Sequence, residues 1–566
     1  MKRAALILGA VLALLATLPA GALAHATLEQ TTPGRGAVAQ SEPRQVVLRF
    51  DESVEGNFGA VRVFDARGDR VDDGPVTHPG GTGAKLAVGL KPGLKDGTYT
   101  TTYRVISADS HPVSGGFVFS IVRAGAAPAE TVGDLLAGSS TGRVTEGAFG
   151  IARGADYLAI ALVLGTLAFI LLAWPRGAPI EAEAAFARRT RTLLLAGAAI
   201  GVLSGAAGIV LQGATAGGTT FWTALDPGTV REVLGTRFGT VWGLRVVDFV
   251  ALGALALAVG PPRRGNPWLY ALPAAFLALT PALGGHATTQ HPVALLAPLD
   301  VVHVLAMSAW VGGLVVLVLA VPAATRAIGD AAARTPLLAS TLSRFSAVAL
   351  TCVGLLIASG TAQSIVHLRS FGDFLHTAFG RAVLIKIIIL LALIGLGALN
   401  RRRSVPRLRA AAAAGATPGA AGRVLRTTLR VEVGLVVVVL AVTAALVSYA
   451  PPSALSAGPY SHATRTGPLE IEMTVDPARA GINAMHLYVF AAKDGAPFDG
   501  TKELTVDAQL KSKGIGPLHA TLHRAGPGHY VADAMTLAPG GTWTVTVTDR
   551  VSDFDEYAAR FEVPVQ

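Results

Sequence analysis

His25, Asp109 and His111 are the first residues whose types and spacing could do chemistry. His25 follows Ala22-Leu23-Ala24, a small-x-small triplet that ends an apolar run over residues 4–18 opened by Lys2 and Arg3. That layout predicts a secretory signal peptide over residues 1–24. Cleavage after Ala24 makes His25 the N-terminus, where its α-amine and Nδ1 can chelate one ion in a six-membered ring. Both donors are borderline nitrogens that suit Cu(II). Asp109 and His111 are two residues apart, so an extended segment points both to one face. A carboxylate and an imidazole beside His25 would complete an N/O set for Cu(II). Taken alone, Asp109 and His111 read as turn residues that hydrogen-bond locally.

A second set lies in an apolar stretch. Asp300, His303, Met307 and Trp310 are spaced i, i+3, i+7 and i+10, which is one face of a helix. The face runs from a hard carboxylate through an imidazole to a thioether, an order that suits an ion moving towards a softer state. An acid and a histidine in a membrane span are functional candidates by default. The plainer alternative is an Asp–His pair capping a helix at the headgroups. His286 and His291 precede this face closely and favour the ligand reading, and His367 and His376 occupy the next loop on the same side. Cys352 is the single cysteine, which excludes an intramolecular disulfide, an iron–sulfur cluster and a multi-cysteine zinc site. It reads as a buried structural thiol.

The elements that must hold these residues follow from composition. The chain has 566 residues, 51% hydrophobic and 15% charged, too apolar for a soluble globular protein. Eight spans are predicted, at about 152–174, 192–213, 240–260, 268–285, 297–321, 342–366, 381–399 and 429–449. The loops after the odd-numbered spans carry 15 Arg and those after the even-numbered ones carry 3, so the odd loops are expected to be cytoplasmic. Both chain ends are then extracytoplasmic. This topology accounts for most of the net charge of +10, and a nucleic-acid partner loses its motive.

Residues 25–122 read as β. Short alternating runs at 46–50, 60–64, 85–90, 98–106 and 116–122 are separated by Gly/Pro turns, as in a small sandwich or barrel. His78 lies in a Gly/Pro loop and reads as solvated. Residues 123–146 read as a mobile tether with a short helix around Asp134-Leu135-Leu136. Residues 465–566 again read as β, with about seven strands in an immunoglobulin-like sandwich. Its His519 and His523, four apart in one strand, would lie about 13 Å apart and could not share an ion without a bend. Met473, Met485, His486, His529 and Met535 read as scattered strand residues.

Three stretches resemble known families. His25-Ala26-x-Leu28 with Pro33 and Gly36-Ala37, and Asp109-Ser110-His111-Pro112-Val113-Ser114-Gly115, resemble copper resistance protein C (CopC). The resemblance implies a cupredoxin-like β domain that binds one Cu(II) through the His25 amine and imidazole, Asp109 and His111. Some members of that family add a Met-rich Cu(I) site, but residues 25–122 contain no Met and no Cys. Gly284-Gly285-His286, His291-Pro292, Asp300-Val301-Val302-His303 and Trp310-Val311-Gly312-Gly313-Leu314 resemble the copper resistance protein D (CopD) membrane domain. Arg344-Phe345-Ser346, Ser359-Gly360, and Gly380 with Arg381, Leu384 and Lys386 extend the match. Lys386 sits inside a span, where it could pair with Asp300 or Asp248 or snorkel outward. Pro477, Gly481-Ile482-Asn483, Gly526-Pro527-Gly528-His529-Tyr530 and Gly541-Thr542-Trp543 are similar to YtkA-like domains, and the whole order resembles copper-import fusions.

The expected fold class is therefore mixed. It joins an all-β cupredoxin/Ig-like domain over 25–122, an eight-helix all-α membrane domain over 147–450 and a β-sandwich over 465–566. The expected function is capture of extracytoplasmic Cu(II) and its import or homeostasis at the bacterial cell (inner) membrane, without catalysis. The candidate metal ligands are His25, Asp109, His111, His286, His291, Asp300 and His303. Partners expected are copper ions, membrane lipid and extracytoplasmic copper chaperones. A sensor or chaperone anchor without transport is the runner-up. A copper monooxygenase also uses an N-terminal histidine chelate, but a carboxylate at Asp109 would fill the position that oxygen needs. No Walker-type or Asp-Lys-Thr-Gly signature accompanies the spans, so ATP drive is not expected.

Overall fold

The computed structural model describes residues 26, 28–34, 37–56, 60–108, 112–123, 142–262, 266–288, 292–330, 333–368, 370–449, 460–476, 478–493 and 497–565. The expected signal peptide, the tether with its short helix, and His25, Asp109, His111 and His291 lie outside the described residues. The chain divides into a helical unit over Thr141–Thr215 and Thr220–Ala454 and a β unit containing Ala24–Ser140 and Leu455–Gln566.

The N-terminal region has nine strands: β1 (Leu28–Thr32), β2 (Val38–Ala39), β3 (Gln45–Phe50), β4 (Val54–Glu55), β5 (Val61–Phe64), β6 (Asp72–Thr77), β7 (Lys85–Leu90), β8 (Gly97–Ser107) and β9 (Pro112–Ile121). One sheet runs β1-β3-β7-β6; the other runs β2-β9-β8-β4, with β5 also on β8. Period-2 alternation sends Val46, Leu48 and Phe50 of β3 inward with Leu86 and Val88, where they share one core with Val105, Phe117 and Phe119. Each such burial contributes about 1.5–3 kcal/mol. All five predicted strands are present, and β9 starts at Pro112 rather than 116. The strands that sequence did not announce are short or polar, such as β6 with its Gly74 and Pro75.

Eight apolar helices occupy the expected positions: α1 (Arg143–Ala168), α2 (Ile180–Gly217), α3 (Arg237–Ala258), α4 (Trp268–Leu283), α5 (Val293–Leu319), α6 (Arg334–His367), α7 (Ala378–Leu399) and α8 (Gly419–Leu446). Among the described residues, seven of these are long and apolar enough to cross a membrane. The exception is α4, with 16 residues and two internal prolines, Pro273 and Pro281. At 1.5 Å per residue it reaches about 24 Å, short of a hydrocarbon core of about 30 Å.

The centre of the bundle is α5, which packs on α1, α4, α6 and α8. Its approach to α1 depends on two glycines. A Cβ at Gly312 would lie 2.0 Å from the Ala161 carbonyl oxygen, and one at Gly165 would lie 2.2 Å from that of Ser308. Cys352 is buried in the same core, as expected of a structural thiol.

Among the described residues the C-terminal region has nine strands, not about seven: β10 (Tyr460–Thr466), β11 (Leu469–Asp476), β12 (Gly481–Ala491), β13 (Glu503–Leu510), β14 (Ile515–His519), β15 (His523–Gly526), β16 (His529–Leu537), β17 (Gly541–Arg550) and β18 (Glu556–Val565). They form two antiparallel sheets, β10-β11-β12-β16-β15 and β14-β13-β17-β18, around one core containing Met473, Met485, Met535 and Trp543. The single strand predicted at 518–522 is not formed. The chain leaves one sheet after His519 and enters the other at His523, so these two histidines do not share a strand.

Candidate metal centre

For the expected N-terminal site, the described structure gives the flanks of both candidate segments. Leu28, three residues after His25, is buried and pairs with Phe50. Two residues beyond Phe50, the Glu52 carboxylate accepts a hydrogen bond from the Ala108 N–H at 3.4 Å, next to Asp109. Beyond residues 109–111, Pro112 pairs with Ile106. Phe50 also meets Tyr103 of β8 edge-on, with centroids 5.6 Å apart. Both flanking segments are thus anchored to the short stretch 50–52. His78 is exposed and donates from Nδ1 to the Lys85 carbonyl at 2.9 Å, in keeping with a loop residue.

In the helical unit His303 is tied to α6. Its Nδ1 lies 2.9 Å from Ser359 Oγ, and that hydroxyl donates to the Leu355 carbonyl at 2.7 Å. With the Ser359 proton directed to Leu355, the hydroxyl oxygen accepts from Nδ1–H in the matching His303 tautomer. The lone pair then resides on Nε2, the arrangement of a metal-ready imidazole oriented by its other nitrogen. Gly360 lies beside the ring: a Cβ there would make an ordinary van der Waals contact with His303 Cε1, at 3.7 Å. The Lys386 ammonium of α7 acts electrostatically on both Asp300 and His303. Of the three fates considered for Lys386, pairing with Asp300 matches this arrangement. Asp248 is buried with its Oδ2 lacking a hydrogen-bond partner among the described residues.

Depth along the helices is consistent. His303 lies 10 residues from the start of α5, Lys386 lies 8 from the start of α7, and Ser359 lies 8 before the end of α6. At 1.5 Å per residue these are about 12–15 Å from the helix ends. Trp310 is buried and Met307 partly buried in the core of the bundle. His286 falls in a single turn, His286–Thr288, between α4 and α5. That turn is held by Arg237 of α3, whose guanidinium donates to the Leu283 carbonyl at 3.0 Å and to the Thr288 hydroxyl. His367 is buried near Phe379, whereas His376 is exposed.

Sequence reading missed the neighbouring ion pair. Arg245 of α3 and Asp156 of α1 are bonded and almost fully buried, and Arg245 Nε donates to Thr280 Oγ1 of α4 at 2.8 Å. Tyr157 senses Arg245, Asp156 and Asp300, which links the pair to the α5 face. The available signal was a pair of opposite charges three residues apart in each of two apolar stretches, Arg153 with Asp156 and Arg245 with Asp248. A second omission is in the C-terminal domain. His486 Nδ1 and His529 Nε2 lie 3.2 Å apart, so the expectation of scattered histidines does not hold for this pair. Burial, then the adjacent His486 and His523, holds the His529 imidazole down to about 4. His519 instead pairs with Asp507. Among the described residues, no three His, Cys, Asp or Glu side chains are already gathered around one point.

Comparison with known proteins agrees with this layout. Residues 28–122 match the family model of the CopC domain. Residues 144–295 match the copper resistance protein D-like N-terminal domain, and residues 339–446 match copper resistance protein D. Copper transport protein CutJ of Bacillus subtilis (strain 168) is 27% identical over 97% of this chain and 98% of its own. Protein YobA of Escherichia coli (strain K12) is 31% identical over 17% of this chain and 79% of its own. Inner membrane protein YebZ of the same strain is 28% identical over 41% of this chain and 77% of its own. The chain belongs to the copper resistance family, with CopC and CopD domains joined in one polypeptide.

Proposed function

We propose that this protein imports copper. Cu(II) is captured outside the membrane by His25, Asp109 and His111, and copper then passes inward along the Asp300–His303 face of α5. His286 and His291 lie just before that face in the chain. The observation that carries the reading is the hydrogen bond from His303 to Ser359, which leaves Nε2 as a donor in the bundle core. Lys386 balances Asp300 when no copper is present, and an arriving cation takes over that carboxylate. The shared domain order with CutJ, named a copper transport protein, supports transport over a purely binding role. Similarity to the inner membrane protein YebZ supports an inner-membrane location, and the Arg excess in the odd-numbered loops supports extracytoplasmic soluble domains. The chain acts as a carrier, with copper as cargo. Cellular copper accumulation, compared between cells with the intact gene and a deletion, tests the reading. Lower accumulation in the deletion supports import. Equal accumulation with normal copper binding would favour a sensor or anchor.

A further inference from the structure

We infer that His486 and His529, with His523 as third donor, form a copper site on the outer sheet face of the C-terminal domain. The choice of copper rests on the proposed function; the site itself rests on geometry. His486 is on β12, and His529 and His523 are on the neighbouring strands β16 and β15. Val531 of β16 pairs with His486 on one side and His523 on the other, so all three residues share one face. His529 is two residues from Val531 and therefore diagonal to both. Diagonal neighbours are about 7–8 Å apart, within reach of long side chains. The register shift between Arg524 and Gly526 bulges β15 beside the site, and bulges commonly re-aim a side chain.

The spacing of the two nearer nitrogens points to a shared ion. Two imidazoles bound at about 2.0–2.1 Å to one tetrahedral ion have nitrogens about 3.3–3.4 Å apart. His486 Nδ1 and His529 Nε2 are already 3.2 Å apart. Tyr488 stacks on His529 at 4.4 Å with a 14° tilt and fixes the ring. His523 is exposed, so a change of rotamer can bring its imidazole to the ion. A set of imidazoles without thiolate suits copper or zinc.

The test uses the full chain in detergent, stripped with chelator, loaded with Cu(II) or with Cu(I) under ascorbate, and desalted. The double variant His486→Gln/His529→Phe is expected to hold one copper fewer per chain. Phe at 529 keeps a ring stacked on Tyr488. His523→Ala, on an exposed strand, is expected to weaken that equivalent by roughly tenfold or more against a competing chelator. Unchanged stoichiometry in the double variant would overturn the site, as would unchanged affinity in His523→Ala. Zinc retained in preference to copper at this site would overturn the copper assignment. His25→Ala, run in parallel, removes a different equivalent. If it loses nothing while the double variant loses one, the N-terminal capture reading fails and this site stands.

Discussion

Ser359 decides which nitrogen of His303 can meet an ion. Its hydroxyl proton goes to Leu355, so it accepts from Nδ1 and leaves Nε2 exposed as a donor. Ser359→Ala therefore leaves a buried Nδ1–H unsatisfied, at a cost of about 1–3 kcal/mol, and frees the ring to turn. Copper uptake is expected to fall roughly tenfold, with Ser359→Thr close to the parent, in accumulation assays normalised to membrane protein. At His529 the consequence is a pH dependence. The folded imidazole titrates at about 4, below its ordinary value of 6.5. Between those values the unfolded form binds a proton that the folded form does not, so acidification destabilises this region. His486, His523 and Tyr488 all face this ring. Hydrogen-exchange protection of β12 and β16, corrected for intrinsic rates, should decline from about pH 6.5 to 4, and His529→Phe should flatten the decline. Both residues stand in the sequence, but their partners are 56 and 43 positions away. Periodicity shows a face; it does not show what faces it.

At the scale of elements, strands with clean alternation were legible. The runs at 46–50 and 85–90 are β3 and β7 almost residue for residue. Strands β14 and β15 were not, because the apolar run through Leu518 and Leu522 is a crossing between sheets. The candidate face on α5 was legible from spacing, but the Arg245–Asp156 pair was not, since each charge has an opposite one three residues away in its own stretch, Arg153 beside Asp156 and Asp248 beside Arg245. Glycine identity also acquires meaning only in packing. Gly312 permits α5 to touch α1, whereas Gly395 of α7 has nothing within 4 Å of a built Cβ. Gly312→Ala should therefore lower the thermal unfolding temperature in detergent, by an amount equivalent to about 1–3 kcal/mol of overpacking. Gly395→Ala should be neutral or stabilising by up to about 1 kcal/mol from helix propensity. Equal midpoints for the two variants would show that the α1–α5 contact is looser than described.

For the whole molecule, topology is the property on which copper capture depends. Fifteen Arg against three favours cytoplasmic odd-numbered loops, and in the proposed topology, with α4 crossing, the C-terminal domain returns to the outside. The weak point is α4, whose 16 residues are fewer than a membrane helix ordinarily needs. Its ends are tied to the bundle: Tyr270 donates to the Gly260 carbonyl at 2.6 Å, and Arg237 holds the turn after Leu283. A short helix packed against longer ones can cross where the bilayer thins locally. Protease added to intact spheroplasts should cleave within residues 465–566. Protection of that domain, with cleavage on lysis, would mean that α4 does not cross.

The central claim is that copper moves along the Asp300–His303 face. Asp300→Asn and His303→Gln keep size and hydrogen bonding while removing a charge or an imidazole, and Asp300 lies seven residues inside α5, so no helix cap is lost. Neither opens a cavity, but Asp300→Asn leaves Lys386 without its carboxylate, so the variants are compared at equal amounts of folded membrane protein. The decisive measurement is copper accumulation in cells expressing each variant at matched membrane abundance. We expect accumulation to fall by roughly tenfold or more, towards that of the deletion. Parental accumulation in both variants would contradict the account.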